Sequence, residues 1–197
     1  MLNISSQYIL NIEIKFILLI QYLFNGPEKN LNIIKIGKII TNKQLQSELI
    51  IYSVLFLLIK NIYQNGINFM IVITCIKLFL KIHIIMYISK TINFHIKHAF
   101  KICRPFVEHN DIQNITIKKD KSKSFSFPSN SIQNSYVYYW IILNLISPYS
   151  SINFIIMNII ILLLSFIKTI RGLHYLHDIL SALFIGKCIL YGVSYIL

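Results

Sequence analysis

Three polar clusters interrupt an otherwise apolar chain, and each carries side chains suited to an anion. The first is Lys97, then six residues, then Arg104-Pro105. The second is Phe127-Pro128-Ser129-Asn130-Ser131, and the third is Lys168 followed by Gly172, His174, Tyr175 and Asp178. A guanidinium grips phosphate oxygens bidentately, and an ammonium adds a point charge. Ser129 is placed to open a helix, where free backbone N–H groups and the helix dipole favour an anion. His174 and Asp178 stand at i and i+4, so on a helix they share one face. The carboxylate can then hold one ring nitrogen protonated and leave the other free to attack phosphorus. Taken singly, each cluster has a plainer reading: a basic residue at a membrane interface, an ordinary helix start, a structural His–Asp pair. Their order along the chain favours a shared phosphate site.

Such residues need elements that carry them to one place. Long apolar stretches recur at 49–63, 67–92, 131–146, 152–167 and 173–197, and they predict an all-α, polytopic helix bundle with five core spans. Residues 8–24 add a less regular helix broken by Asn11, Glu13, Lys15 and Gln21. It can span the membrane or lie in the interface with its polar edge wet, and the interface is preferred. The chain thus divides into an N-terminal amphipathic helix with a basic loop, 1–46, and a membrane-embedded domain, 47–197. Gly26-Pro27, Asn65-Gly66 and Ser147-Pro148 punctuate it, and residues 110–127 read as a solvated loop bearing Lys118, Lys119, Lys121 and Lys123. Counting crossings puts all three polar clusters on one membrane face. Lys77 and Lys81 fall inside the second span and must snorkel, face the bundle interior, or mark a span with other boundaries.

Composition agrees. The chain has 197 residues, a formal charge of +12, 55% hydrophobic residues and only 13% charged ones. A soluble chain carries about 25% charged residues. The basic residues sit between apolar spans, so anionic lipid head groups are the expected partner and nucleic acid is not. Cys75, Cys103 and Cys188 are far apart, which argues against a metal site or disulfide framework and for buried small apolar residues. The start of the chain lacks the pattern of a cleavable leader.

The combined motif resembles that of the type-2 phosphatidic acid phosphatases, a family of lipid-phosphate phosphatases. Its members carry K-x6-R-P, then P-S-G-H, then S-R-x5-H-x3-D. Here the chain reads K-HAFKIC-R-P from Lys97, SFPSNSIQNS from Ser126, and K-TIRGL-H-YLH-D from Lys168 to Asp178. The likeness covers about 49–197, and the loop opening RPFV and closing SFSFPS looks like that of short bacterial members such as undecaprenyl-diphosphate phosphatases. The resemblance implies that His174 takes up the phosphoryl group and Asp178 orients it. It implies that Lys97, Arg104, Ser129, the Asn130 backbone and Lys168 hold the phosphate oxygens, Lys168 standing for the family's second arginine. It implies no metal and no cofactor, a lipid phosphate or diphosphate substrate, and the inner membrane of a bacterium. Those relatives work at the outer face, whereas the basic loop residues point the motif face to the cytoplasm.

Two departures matter. Ser131 stands where the family has the histidine that protonates the leaving group, and Ile167-Lys168 replaces Ser-Arg. General acid catalysis is worth ~10²–10⁴-fold, and an alkoxide leaving group feels that loss more than a phosphate leaving from a diphosphate. The substitution therefore tilts a working enzyme toward lipid diphosphates such as a polyprenyl diphosphate. His109, His98 or His177 are candidate substitutes for the proton. A second frame makes His177 the nucleophile with Arg171 before it, but it puts Ser181 at the Asp position and loses the carboxylate. The rival reading is a catalytically impaired relative that binds lipid phosphate or a partner protein. A small transporter or channel is a third class, hinted at only by Lys77 and Lys81.

Overall fold

A computed structural model describes residues 4–23, 35–37, 39–65, 69–109, 111–112, 125–146 and 150–196. Lys118, Lys119, Lys121 and Lys123 lie outside the described residues, as do Gly26-Pro27, Gly66 and Ser147-Pro148. Seven helices are found among the described residues: α1 (Ile4–Leu23), α2 (Lys43–Asn65), α3 (Phe69–Phe100), α4 (Pro105–Glu108), α5 (Asn130–Ile146), α6 (Ser151–Ile170) and α7 (Leu176–Ile196).

Each of the five predicted spans is a helix, with shifted ends. The 67–92 span continues to Phe100, because nothing in 93–100 is Gly or Pro. The chain then leaves through Lys101, a left-handed residue at φ 51, and Arg104 is extended because a proline follows it. The 173–197 span begins later, at Leu176. Three helical segments among the described residues are long and apolar enough to cross a membrane: Phe69–Glu108, Ser151–Ile170 and Leu176–Val193. On α6, Met157, Ile161 and Leu164 are buried while Ile155, Ile159 and Leu162 are exposed. A helix apolar on all sides, half packed and half bare, is what a lipid surround requires. The protein is an integral membrane helix bundle.

α5 and α7 run through its middle. One core cluster joins Ile50 and Val54 of α2, Ile82 and Ile85 of α3, Val137 and Tyr138 of α5, and Ile189 and Leu190 of α7. A second joins Ile132 of α5, Ile161 and Leu164 of α6, and Ile179 and Ala182 of α7. Gly186 lets α5 and α7 approach closely, since a Cβ there would meet Tyr136 Cδ1 at 3.0 Å. α3 and α5 are also stitched by buried polar groups. Gln133 Nε2 donates to Ser89 O at 2.8 Å, Asn93 Nδ2 donates to Gln133 Oε1 at 2.7 Å, and Ser89 Oγ donates to Asn134 Oδ1 at 2.8 Å.

One expectation, on the cysteines, is corrected, and two others gain detail. The polar edge of α1 is divided: Glu13 and Gln21 are buried, with Gln21 Nε2 donating to Ile170 O at 2.8 Å, while Asn11 and Lys15 are exposed. Glu13 and Gln21 turn to the bundle because donors and an acceptor await them there. Of the cysteines only Cys75 is buried. Cys188 shares the outward stripe of α7 with Phe184 and Tyr191, and Cys103 lies in the connection after α3. Lys77 is exposed and Lys81 half-buried, and neither is a core residue. At ~1.5 Å per residue, the 32 residues of α3 overshoot a ~30 Å hydrocarbon core, which leaves room for these lysines to snorkel.

Candidate active site

The ends of α3, α5, α6 and α7 meet at one pole of the bundle. α6 stops in a Schellman turn: Gly172 takes φ 62, its N–H donates to Thr169 O at 2.9 Å, and Leu173 N–H donates to Lys168 O at 3.2 Å. Residues 173–175 have no regular secondary structure before α7 starts. His174 is therefore in the turn and not on the helix, contrary to the expected shared helix face. It still meets Asp178, because Asp178 is in the first turn of α7 and folds back. Its Oδ2 accepts from Tyr175 N–H at 2.9 Å, as in a capping box. His174 Nδ1 lies 3.5 Å from the same oxygen. That is long for a hydrogen bond, and such contacts tighten in a substrate complex.

Backbone bonds lock the other segments to this turn. Phe106 N–H donates to Gly172 O at 3.3 Å, and Ser129 N–H donates to Asp178 O at 3.2 Å. Ser126 N–H donates to Ile102 O at 2.8 Å, and Ser126 Oγ donates to Cys103 O at 2.9 Å. Lys97 Nζ donates to Phe125 O at 2.7 Å and Ser126 O at 3.2 Å, which leaves one of its three N–H groups. Arg104 caps α4, its carbonyl accepting from Val107 and Glu108.

Between these segments is a cavity of about 350 Å³, lined by Lys97, Arg104, Asn130, Ser131, Lys168, Arg171, Leu173 and His174. Four of its eight lining residues are cationic and none is acidic. Asp178 is fully buried and does not line it. Burial draws the His174 ring down to about 4, against the pull of Asp178 and with Lys168 and Arg104 pushing the same way as burial. The ring is neutral at pH 7.

Most predicted site residues thus share one cavity. Asp178 and Ser129 are the exceptions, and Asp178 still faces His174 from behind the wall while Ser129 does not. Ser129 is fully buried, does not line the cavity, and its Oγ has no hydrogen-bond partner. Its N–H is committed to Asp178 O and is not free for an anion. Asn130 lines the cavity, its Oδ1 accepting from Asn134 Nδ2 at 2.7 Å. Ser131 lines it as well, and His174 is the only histidine that does so among the described residues. His98 is exposed and packs on Phe94; His109 sits edge-on to Tyr175. His177 turns away toward Glu13, so the frame that makes it the nucleophile has no support in the geometry. Arg171 belongs to the cavity although spacing gave it a place only in that frame. Its signal is its position one turn beyond Lys168, where the helix end brings both to the same side. Glu13 is the other residue that spacing could not reveal.

No curated protein matches the chain. Among solved structures it is similar to a transmembrane PAP2-type phosphatidylglycerolphosphate phosphatase from Bacillus subtilis, at 14% identity and a TM-score of 0.51, over 93% of each chain. At that identity the likeness bears on the fold alone. A family model described as the PAP2 superfamily matches residues 78–197, a stretch that holds every lining residue of the cavity. With more than half its length so matched, the chain belongs to the PAP2 superfamily.

Proposed function

We propose that the protein is a membrane lipid phosphatase that removes the terminal phosphate from a lipid phosphate or diphosphate, above all a polyprenyl diphosphate, through a phosphohistidine at His174. The setting is the inner membrane of a bacterium. The observation that carries this reading is the cavity itself, where four cations surround a neutral imidazole whose Nδ1 faces a buried carboxylate.

In this reading the terminal phosphate enters among Lys97, Arg104, Lys168 and Arg171, with the Asn130 backbone completing the cradle; the Ser129 hydroxyl, buried behind the wall, joins it only if the wall shifts on binding. Nδ1 keeps its proton toward Asp178, and Nε2 attacks phosphorus. The bond from phosphorus to the leaving oxygen breaks, and that oxygen keeps the electron pair. With a diphosphate the leaving group is the lipid monophosphate, which needs no proton at once. Water then attacks the phosphohistidine, the P–N bond breaks, and inorganic phosphate leaves while Nε2 regains its lone pair. The preference for diphosphates rests on Ser131, which cannot act as the acid that a histidine would be there, and on a cation count suited to two phosphates.

The second reading, an impaired relative that binds lipid phosphate without turnover, draws on the same Ser131. One assay separates them: purified protein with a polyprenyl diphosphate, with and without His174→Ala. Phosphate release abolished by the substitution supports the phosphatase. Release indifferent to it, or binding without release, removes the mechanism.

A further inference from the structure

Glu13 reaches the site from α1, far outside the stretch matched by the family model. It is buried, and both of its oxygens are taken by one residue. His177 N–H donates to Oε1 at 3.0 Å, and His177 Nδ1 donates to Oε2 at 2.7 Å. The other ring nitrogen, Nε2, lies 3.3 Å from Asp178 Oδ1. Asp178 Oδ2 in turn takes Tyr175 N–H and faces His174. The result is a continuous line of side chains: Glu13, His177, Asp178, His174. The Tyr175 ring stacks on the His177 ring, with centroids 5.2 Å apart and an interplanar angle of 10°. Ile17 of α1 is buried in the same small cluster as Tyr175 and Ile112, which holds the helix at this spot.

We propose that Glu13 is a positioning residue for the nucleophile, acting through His177 on Asp178, so that α1 is a working part of the site. The inference rests on the reading of His174 as nucleophile. The physical ground is that Asp178 is fully buried, and a buried carboxylate needs donors on both oxygens. Tyr175 N–H serves one oxygen. The other, Oδ1, has no hydrogen-bond partner among the described residues; His177 Nε2 is 3.3 Å from it and attracts it when the ring is protonated on both nitrogens, and Glu13 holds the far side of that ring in place. Glu13 also caps the first turn of α7 by accepting the His177 N–H, at the end of the helix where a negative charge is favoured. Removing it frees the His177 ring, and the direction Asp178 gives to His174 loosens.

The test compares Glu13→Ala, Glu13→Gln and His177→Asn in purified full-length protein with a polyprenyl diphosphate. A misplacement on the order of 1 Å costs about 10²-fold. Glu13→Ala should therefore lower kcat by about 10- to 100-fold while KM changes little, because no phosphate contact is lost. Glu13→Gln keeps one acceptor and should fall less. The Glu13→Ala and His177→Asn losses should not add, since both cut the same line. A second readout is the ring 15N signals of His174 and His177, which Glu13→Ala should shift together. Wild-type kcat in Glu13→Ala, additive losses, or a shift confined to His177 would overturn the proposal. If the wild type shows no His174-dependent release, the phosphatase reading fails on its own, and the 15N signals alone decide whether Glu13 positions His174. Should Glu13→Ala not fold, Glu13→Gln and His177→Asn carry the same comparison.

Discussion

An imidazole that attacks phosphorus must be unprotonated, and the surroundings of His174 arrange this by burial, with help from Lys168 and Arg104, down to a value of about 4. Phosphate release should hold its rate as pH falls through ~6.5, where an ordinary histidine titrates. The acid limb of kcat/KM should appear near 4. A limb near ~6.5 in the pH profile contradicts this. The same group affects stability. Its folded value lies below its unfolded value of 6.5, so the unfolded chain takes up the proton first. The folded state therefore loses stability as pH drops from 6.5 toward about 4, and this contribution levels off below that; chemical denaturation at a series of pH values measures it. Ser131→His restores an acid to the cavity wall. It should raise turnover of a lipid phosphate monoester by at least ~10-fold, at the low end of what a general acid supplies, and raise diphosphate turnover less. Equal gains on both substrates would count against the leaving-group argument. At this scale Lys97, Arg104, Lys168, His174 and Asp178 are legible in the sequence, because short-range spacing carries them. Glu13 is not legible, since the group it serves is 164 positions away. Nor can spacing say which of the rings of His174 and His177 turns inward; that depends on the Schellman turn at Gly172.

The elements that carry these residues are held by polar groups as well as by packing. Gln133 of α5 donates to Ser89 and accepts from Asn93 of α3, and all three are buried. Gln133→Leu leaves Asn93 without this acceptor and Ser89 without this donor. Interhelical hydrogen bonds in membranes are worth about 0.6–2 kcal/mol each, so the variant's unfolding free energy in detergent should fall by an amount of that size, with a lower unfolding temperature. Asn130 is tied to this network through Asn134, so the cavity wall should loosen and KM should rise. Unchanged stability and KM would show that the network is idle. Apolar runs in the sequence reveal the five core helices, because lipid demands long uninterrupted stretches. Their ends are less legible. α3 runs on past 92 because a helix stops for lack of backbone partners, and apolarity alone does not mark that point. The docking of α1 is not legible either, since nothing in the sequence separates the buried Glu13 and Gln21 from the exposed Asn11 and Lys15.

On the scale of the whole molecule, the apolar surface of α3, α6 and α7 fixes the protein in the bilayer, while the cations gather at one pole. Retention should therefore be insensitive to charge. The chain should stay in the membrane fraction through washes at high salt and alkaline pH, and its release by salt alone would contradict the bundle as described. Catalysis should be sensitive to salt, since ions at ~1 M shorten the screening length to ~3 Å; KM for a lipid diphosphate should rise with ionic strength while kcat changes little. The fold class is visible in composition and hydropathy, and the convergence of the three clusters is visible from counting crossings. The cavity's charge is only partly visible, because Arg171 joins it through the geometry of a helix end. The most direct measurement is to mix the protein with a polyprenyl diphosphate, quench with alkali during turnover, and locate the phosphoryl group by peptide mass spectrometry. The expected result is a phosphoryl group on His174, absent in His174→Ala. Phosphate release with no label at that residue, or with the label on another histidine, would contradict the central claim.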